Sequence, residues 1–412
     1  MLQKENSRSR PRGMQGRRSV ISIAAGAGVA AVLAGCAIPE RGPAVPMGRT
    51  TQASVLGVPN ERFFPFSSPA LLQDELQAAL VRNRRVHGLP ADAPLPQMQL
   101  LAVSGGGEDG AFGAGLLCGW SDHGTRPVFD VVTGVSTGAL TAPFAYLGSG
   151  ADAQLRSVYT DIGRSEVLVR RAITAALFND ALSDNAPLFR TISRFLNDEI
   201  LTGIARGYAD GRLLLIGTTD LDAQQPVIWN LGAIASSGHP RALDTIRRVL
   251  LASSAIPGAF PPTMFDVTLD GVAYQEMHVD GGAFAQAFLY PPSLTAPRRA
   301  AMRRGAMVQP AVAYVIRNGR LDPEWSMVRR STLSIAGRAI STMIASSGYN
   351  DVVRMYNTTR NDGIGFNLAF ISSDFTKVLP EPFDQDYMRA LFDYGYQQAR
   401  HGYDWVKTPP NH

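Results

Sequence analysis

Two glycine-rich turns, each at the end of a short apolar run, constrain this chain more than any other feature. The first, Ser104-Gly-Gly-Gly-Glu-Asp-Gly-Ala-Phe-Gly-Ala-Gly115, follows Met98 to Val103, and the second, Gly134-Val-Ser-Thr-Gly138, ends the run Val131 to Gly134. Each passes from a strand-like segment into a helix-like one. The first N–H groups of a helix lack internal partners and, with the helix dipole, favour a negative oxygen. A serine between the glycines of the second turn has the setting of a nucleophile on a strand-to-helix elbow. Together the turns predict a hydrolase, with Ser136 as the nucleophile and the glycine-rich stretch as a cradle for a negative oxygen.

Each turn has a competing reading. Gly105, Gly107 and Gly110 also satisfy G-x-G-x-x-G, with Asp130 further along as an acidic residue. In dinucleotide folds that acid ends the second strand, whereas Asp130 precedes the run Val131 to Gly134 and Ser136 takes the strand's end. A phosphate-cradling P-loop needs lysine after its last glycine, and Gly110 is followed by Ala111. Taken alone, Ser136 serves equally well as the N-cap of a helix starting at Thr137. The strand before it, the helix after it and the glycine loop nearby favour the nucleophile. Gly134 and Gly138 keep bulk away from a turn whose backbone is strained.

The chain has 412 residues, 45% hydrophobic and 18% charged, enough for one large core or two modest ones. Leu72, Leu76, Ala79 and Leu80 recur at helical spacing, and Pro90, Pro94 and Pro96 close that helix. Met98 to Ser104, Val131 to Gly134 and Leu213 to Thr218 are apolar without alternation, as in strands buried on both faces of a parallel sheet. Helices are expected at Gly110 to Trp120 and Ser136 to Leu147. Met264 to Leu269 and Val272 to Val279, joined by Asp270-Gly271, predict a hairpin with a type I′ turn. A late strand is expected over Pro310 to Ile316, and helices over Ile335 to Tyr356 and Tyr387 to Trp405. Strands alternating with helices predict an α/β sandwich in a single domain over 61–412, whose last hundred residues cover the same sheet.

The N-terminus reads as a targeting segment. Lys4, Arg8, Arg10, Arg12, Arg17 and Arg18 precede the uncharged run Val20 to Leu33, which is short for a bilayer span and suits a secretory signal over 1–35. Its end, Leu33-Ala34-Gly35-Cys36, resembles a bacterial lipobox, in which the cysteine is lipidated; the alternatives are an ordinary signal cleaved after small residues and, from Arg17-Arg18, a twin-arginine export signal. Residues 36–60, with Pro39, Pro43, Pro46 and Pro59, are expected as an extended tether. Ala37 favours outer-membrane over inner-membrane placement of an anchored protein. The segment 1–35 holds six basic residues and one acidic, so the whole-chain net charge of +4 becomes −1 without it. The folded part then shows no basic patch for a nucleic-acid partner. Of two cysteines, Cys36 is thereby engaged, and Cys118, in an apolar stretch, is a buried small hydrophobe.

A serine needs an adjacent base. In a serine, acid, histidine order only His401 or His412 could follow a suitable acid, and both lie in the terminal segment, with no strand-end loop to hold them. Asp280-Gly281-Gly282, at the end of the hairpin's second strand, offers an acid instead, although Asp-Gly-Gly there is also ordinary turn chemistry. The glycine loop, Gly134 to Gly138, Ala252-Ser-Ser-Ala-Ile-Pro-Gly-Ala-Phe-Pro-Pro262 and Asp280-Gly281-Gly282, in this order along the chain, resemble the patatin-like phospholipase family over roughly residues 97 to 320.

The resemblance implies a patatin-like three-layer α/β sandwich with a mostly parallel sheet. It implies Ser136 as nucleophile, Asp280 as base in a dyad without histidine, and an oxyanion hole from Gly105, Gly106 and Gly107, with Gly110, Gly281 and Gly282 supporting the motifs. The expected substrates are fatty-acyl esters of membrane lipids, cleaved without metal or cofactor. The family usually has a basic residue two positions after the glycine triplet, where this chain has Asp109 beside Glu108. Two acids next to a loop that stabilises negative charge also leave open a lipid-binding protein of low activity.

Overall fold

The computed structural model describes residues 40–90, 93–167, 169–170, 181 and 183–410. In chain order these form β1 (Arg62–Phe63), α1 (Pro69–Val86), β2 (Met98–Val103), α2 (Gly110–His123), β3 (Val131–Val135), α3 (Thr137–Leu147) and α4 (Asp152–Thr160). A two-stranded ribbon follows, β4 (Val169–Arg170) with β5 (Ser183–Asp184), then α5 (Ala186–Phe195) and α6 (Asp198–Ala209). Next come β6 (Leu213–Asp220), β7 (Gln225–Asn230), α7 (Leu231–Ser236), α8 (Ala242–Ser253), β8 (Thr263–Leu269) and β9 (Val272–Asp280). The chain ends with α9 (Ala296–Arg303), β10 (Ala311–Arg317), α10 (Thr332–Asn361), β11 (Gly365–Phe370) and α11 (Gln385–Arg400). None of the described helices is long and apolar enough to cross a membrane.

The main sheet runs β1-β7-β6-β3-β2-β10-β11. β6, β3, β2, β10 and β11 are mutually parallel, while β7 pairs antiparallel with β6 and β1 with β7. Both faces are covered, which is why the central strands are apolar without alternation. Leu101 and Val103 of β2 enter one core with Phe112 and Leu116 of α2, Phe144 of α3 and Leu391 of α11. Leu100 and Ala102 enter the other, with Leu72 and Ala79 of α1 and Val352 and Met355 of α10. The result is the three-layer α/β sandwich expected, mixed at one edge.

The expected strands and helices recur with their ends moved by a few residues. Asp270 and Gly271 have φ of 51° and 79°, the two positive values of a type I′ turn. The helix expected to Trp405 stops at Arg400, where Gly402 takes φ 93° and the chain turns into a bridge between Val406 and Leu368. β11 was not expected from sequence; it adds a parallel edge beside β10.

The expected boundary at residue 60 is corrected. From Arg41 onward the chain is laid along the β8–β9 hairpin as part of the folded body. Arg41 pairs with Asp222 at 2.7 Å, the Gly42 N–H donates to Gln275 Oε1 at 2.6 Å, and Ser54 bridges to Thr268. Glu61 then gathers the N–H groups of Val55 and Leu56 on its carboxylate at 2.6 and 3.0 Å. A proline-rich extended strap has free N–H groups to spend on such neighbours, so low periodicity did not mean freedom. The expected signal segment and Cys36 lie outside the described residues.

Candidate active site

The register of β6 brings the two key residues together. Val135, the last residue of β3, pairs with Gly217, and the next residue of β6, Thr218, pairs with Asp280, the last residue of β9. β3 runs parallel to β6 and β9 antiparallel, so the two strands approach each other end to end along one edge of β6. Ser136 and Asp280 meet at that junction, although 144 positions separate them.

Ser136 has φ 57° and ψ −127°, a conformation that a non-glycine residue holds only when its surroundings enforce it. Three contacts do so. Its N–H donates to Ser253 Oγ at 3.0 Å, Ser253 Oγ in turn donates to Gly217 O at 2.7 Å, and Ser254 Oγ donates to the Ser136 carbonyl at 3.4 Å. The turn also presses α3 onto β2, since a Cβ on Gly138 would lie 2.2 Å from the Val103 carbonyl oxygen. Ser136 is therefore not a side-chain N-cap, because its hydroxyl makes no cap bond to α3.

Asp280 is buried, and its N–H donates to Ala255 O at 2.9 Å. The segment Ala252 to Ala255, at the end of α8, thus grips both residues, Ser136 through Ser253 and Asp280 through Ala255. Asp280 Oδ1 accepts the Gly282 N–H at 2.7 Å, while Oδ2 has no aligned hydrogen-bond donor. Burial pushes the carboxyl up to about 7, against the Ser136 hydroxyl and the Gly282 N–H, which pull it down. The serine hydroxyl is close enough to favour the ionised acid without being aligned for a full bond.

The glycine loop differs in one respect from expectation. The Gly105 N–H donates to Gln286 O at 2.9 Å, so Gly105 is not free to stabilise an oxyanion. Gln286 also bonds Gly282 O through its side chain at 3.0 Å, tying the loop to the Asp280 turn. Among the described residues, the N–H groups of Gly106 and Gly107 have no partner. Gly107 takes φ 59°, which turns the chain into α2, and Gly110 begins that helix.

Beneath the loop lies a cation that the sequence did not reveal. Arg317, at the end of β10 and 5% exposed, donates from Nη1 to Gly105 O at 2.9 Å and to Ser104 Oγ at 3.2 Å. Asn318 bonds Ser104 through its own N–H at 2.8 Å and through Nδ2 at 2.9 Å. Only a tertiary contact between β2 and β10 makes these residues neighbours, so no local signal marks them. Burial raises Asp109 to about 6, even though the Tyr387 hydroxyl donates to it at 2.8 Å. Burial likewise raises Glu108 to about 7.

None of the described histidines bonds Ser136 or Asp280. His278 is buried between Thr218 Oγ1, at 2.9 Å from Nδ1, and Glu276 Oε2, at 3.2 Å from Nε2, and His401 is exposed and bonds Gln397 O. Asp220, Glu276 and His278 are close enough to share a metal ion, but the Arg62 guanidinium already pairs with Glu276 and supplies the positive charge there. Asp130 accepts the Gln99 N–H at 2.7 Å before the start of β3, at the end of the sheet opposite the glycine loop.

A cavity of about 80 Å³ opens beside Ser136. Leu140, Phe144, Ile192, Leu250, Phe260 and Met388 give it apolar walls, and Glu108 and Thr137 are among its few polar residues. It has the lining of an acyl-chain slot ending at the serine.

The chain is similar in structure to VipD from Legionella pneumophila, with a TM-score of 0.35 and 11% identity over 75% of this chain and 67% of that one. It is similar to the type III effector protein ExoU (0.26, 13%, 75% and 54%) and to human GIVD cytosolic phospholipase A2 (0.26, 12%, 80% and 54%). It thus spans about half the length of the latter two. No curated protein sequence matches it. Residues 101–290, from β2 to the loop after the Asp280 turn, match the family model described as patatin-like phospholipase, and over that stretch the chain is a patatin-like phospholipase domain.

Proposed function

We propose that this chain is a serine acyl hydrolase that cleaves fatty-acyl esters of membrane lipids through a Ser136–Asp280 dyad. The observation that carries the reading is the end-to-end meeting of β3 and β9 on β6, which sets a strained serine beside a buried carboxyl at the mouth of an apolar slot. In the first step Asp280 accepts the Ser136 hydroxyl proton while Oγ bonds the ester carbonyl carbon. The carbonyl oxygen becomes an oxyanion facing the N–H groups of Gly106 and Gly107, each such donor contributing roughly 3 kcal/mol. Collapse breaks the ester C–O bond, and the leaving alcohol takes the proton back from Asp280. Water, deprotonated by the same carboxyl, then attacks the acyl-serine and releases the fatty acid with Ser136 restored.

The family of residues 101–290 and the apolar slot support lipid esters as the substrate class. We further propose that Cys36 is lipidated after export and holds the enzyme on an envelope membrane, with no nucleic-acid partner. A second reading has its own observation: Glu108 and Asp109 flank the loop, as suits a lipid binder of low turnover.

A fluorophosphonate probe separates the two. Acyl hydrolysis predicts covalent labelling at Ser136, lost in Ser136→Ala and much slower in Asp280→Asn. Unlabelled protein that still retains lipid would decide for the binder.

A further inference from the structure

α10 is two different helices in one. Its C-terminal half is buried, with Val352 and Met355 in the core, whereas residues 335–346 of its N-terminal half are exposed apart from the half-buried Arg338. Along that projecting half Ile335, Ala336, Ala339, Ile340, Met343 and Ile344 fall at i, i+1, i+4, i+5, i+8 and i+9, one continuous face. Ile335, Ile340 and Met343 are 52%, 50% and 63% exposed. The loop leading into the helix adds Trp325 and Met327, 90% and 81% exposed. A contiguous apolar surface of this kind marks an interaction site in a folded protein.

Charge selects the partner. Between Trp325 and Ser346 there are three basic residues and no acidic one; Arg329 and Arg330 are exposed beside the apolar face, whereas Arg338 is half-buried and donates to the Glu324 carbonyl. A face of bulky aliphatics flanked by arginines and preceded by an exposed tryptophan has the composition of a helix lying in a lipid interface, with apolar side chains below the headgroups and guanidinium groups among anionic phosphates. A protein partner or second copy would match the apolar face but not require the one-sided charge.

The position of this surface ties it to the site. Arg320 and Glu324, a few residues before Trp325, pair with each other at 2.9 Å and act electrostatically on Asp109, next to the glycine loop. The buried half of α10 holds the other side of that loop. The Asp351 carboxylate accepts the Gln286 N–H at 2.6 Å, and Gly348 packs against the Arg317 guanidinium. Gln286 and Arg317 are the groups that bond Gly105.

We propose that the segment Trp325–Ile344 is a docking element for an anionic bilayer surface, and that it brings the mouth of the Ser136 cavity to the lipid. The inference concerns binding, so it stands or falls apart from turnover.

The test uses the full chain with vesicles of phosphatidylglycerol and phosphatidylcholine in equal parts, their acyl chains brominated to quench inserted tryptophan. Trp120 and Trp229 are buried, and the Trp325→Phe variant isolates the signal of Trp325. Docking predicts quenching and a blue shift of Trp325 emission, weaker with phosphatidylcholine alone. It also predicts that Ile335→Ser/Ile340→Ser/Met343→Ser lowers vesicle affinity roughly tenfold or more. Hydrolysis of a soluble short-chain ester by that variant stays unchanged. Vesicle-bound protein with unquenched Trp325, equal quenching on neutral vesicles, or a dimer dissolved by the triple substitution would each overturn the proposal.

Discussion

At the residue scale the site depends on a carboxyl kept at the edge of ionisation. Asp280 is raised to about 7 because burial penalises its charged form more than Ser136 and Gly282 favour it. A base must be ionised to take the serine proton, so kcat/KM should rise with pH toward about 7, with its value above that held down by the charge on Glu108, measured on a soluble ester to avoid effects at the lipid surface. The sign for stability is opposite. A carboxyl raised in the folded state contributes stability that is present below its unfolded value near 3.8 and lost as pH rises through 7. Asp280→Asn should therefore be inactive yet melt higher than the parent at pH 8. Glu108 ionises near the same pH and faces the cavity. Its charge opposes the oxyanion, so Glu108→Gln should raise kcat/KM about threefold to tenfold above pH 8 and change little below pH 6, the size of one partly screened charge.

At the element scale, what positions the dyad is the sharing of one edge of β6 between β3 and β9. Much of this was legible in the sequence. β2, β3 and β6 announced themselves as apolar runs buried on both faces, the Asp270-Gly271 turn fixed the hairpin that delivers Asp280, and the glycines around Ser136 marked the elbow. β11 was not legible, because Gly365-Phe-Asn-Leu-Ala-Phe370 opens on a glycine and carries a central asparagine whose amide finds its partners, Ala313 O and the Lys407 ammonium, only in the fold. The grip of Ser253 on Ser136, the engagement of Gly105 by Gln286 and the support from Arg317 were hidden for one shared reason: each joins elements far apart in sequence. The packing of α2 on α11 makes the same point. A Cβ on Gly115 would lie 2.0 Å from the Phe392 carbonyl oxygen, so the two helices touch backbone to backbone. Gly115→Val should force them apart and cost about 2 kcal/mol or more in chemical denaturation.

At the scale of the whole molecule, the strap before β1 changes how an anchored enzyme would be held. A free tether over 36–60 would let the body range far from the membrane, whereas fixing Arg41 to Asp222 leaves only five residues after Cys36, a reach of at most about 18 Å. A lipidated Cys36 and a docking α10 would then hold the body close to the bilayer at two places. The strap is locked further in by Arg62, which is buried, bonds Ala53 O at 2.7 Å and pairs with Glu276. Burial raises Glu276, but the bonds from His278 and Arg62 outweigh it and bring the carboxyl down to about 2. The stability this group contributes is present above its ordinary value of 4.5 and lost as pH falls from there toward 2. Arg62→Met, which leaves the buried Glu276 with only His278 as a side-chain partner, should cost about 3 kcal/mol, with much of the loss recovered in Arg62→Met/Glu276→Gln. Urea denaturation of the two variants at neutral pH checks this.

The central claim is that Ser136 and Asp280 together hydrolyse a lipid ester with no histidine in the chemistry. Its most direct test is the rate of fatty-acid release from phosphatidylglycerol vesicles by the parent, Ser136→Ala, Asp280→Asn and His401→Ala. The account predicts loss of roughly a thousandfold or more in each of the first two variants and an unchanged rate in the third. A near-parental rate in Asp280→Asn, or a collapse in His401→Ala, would contradict it.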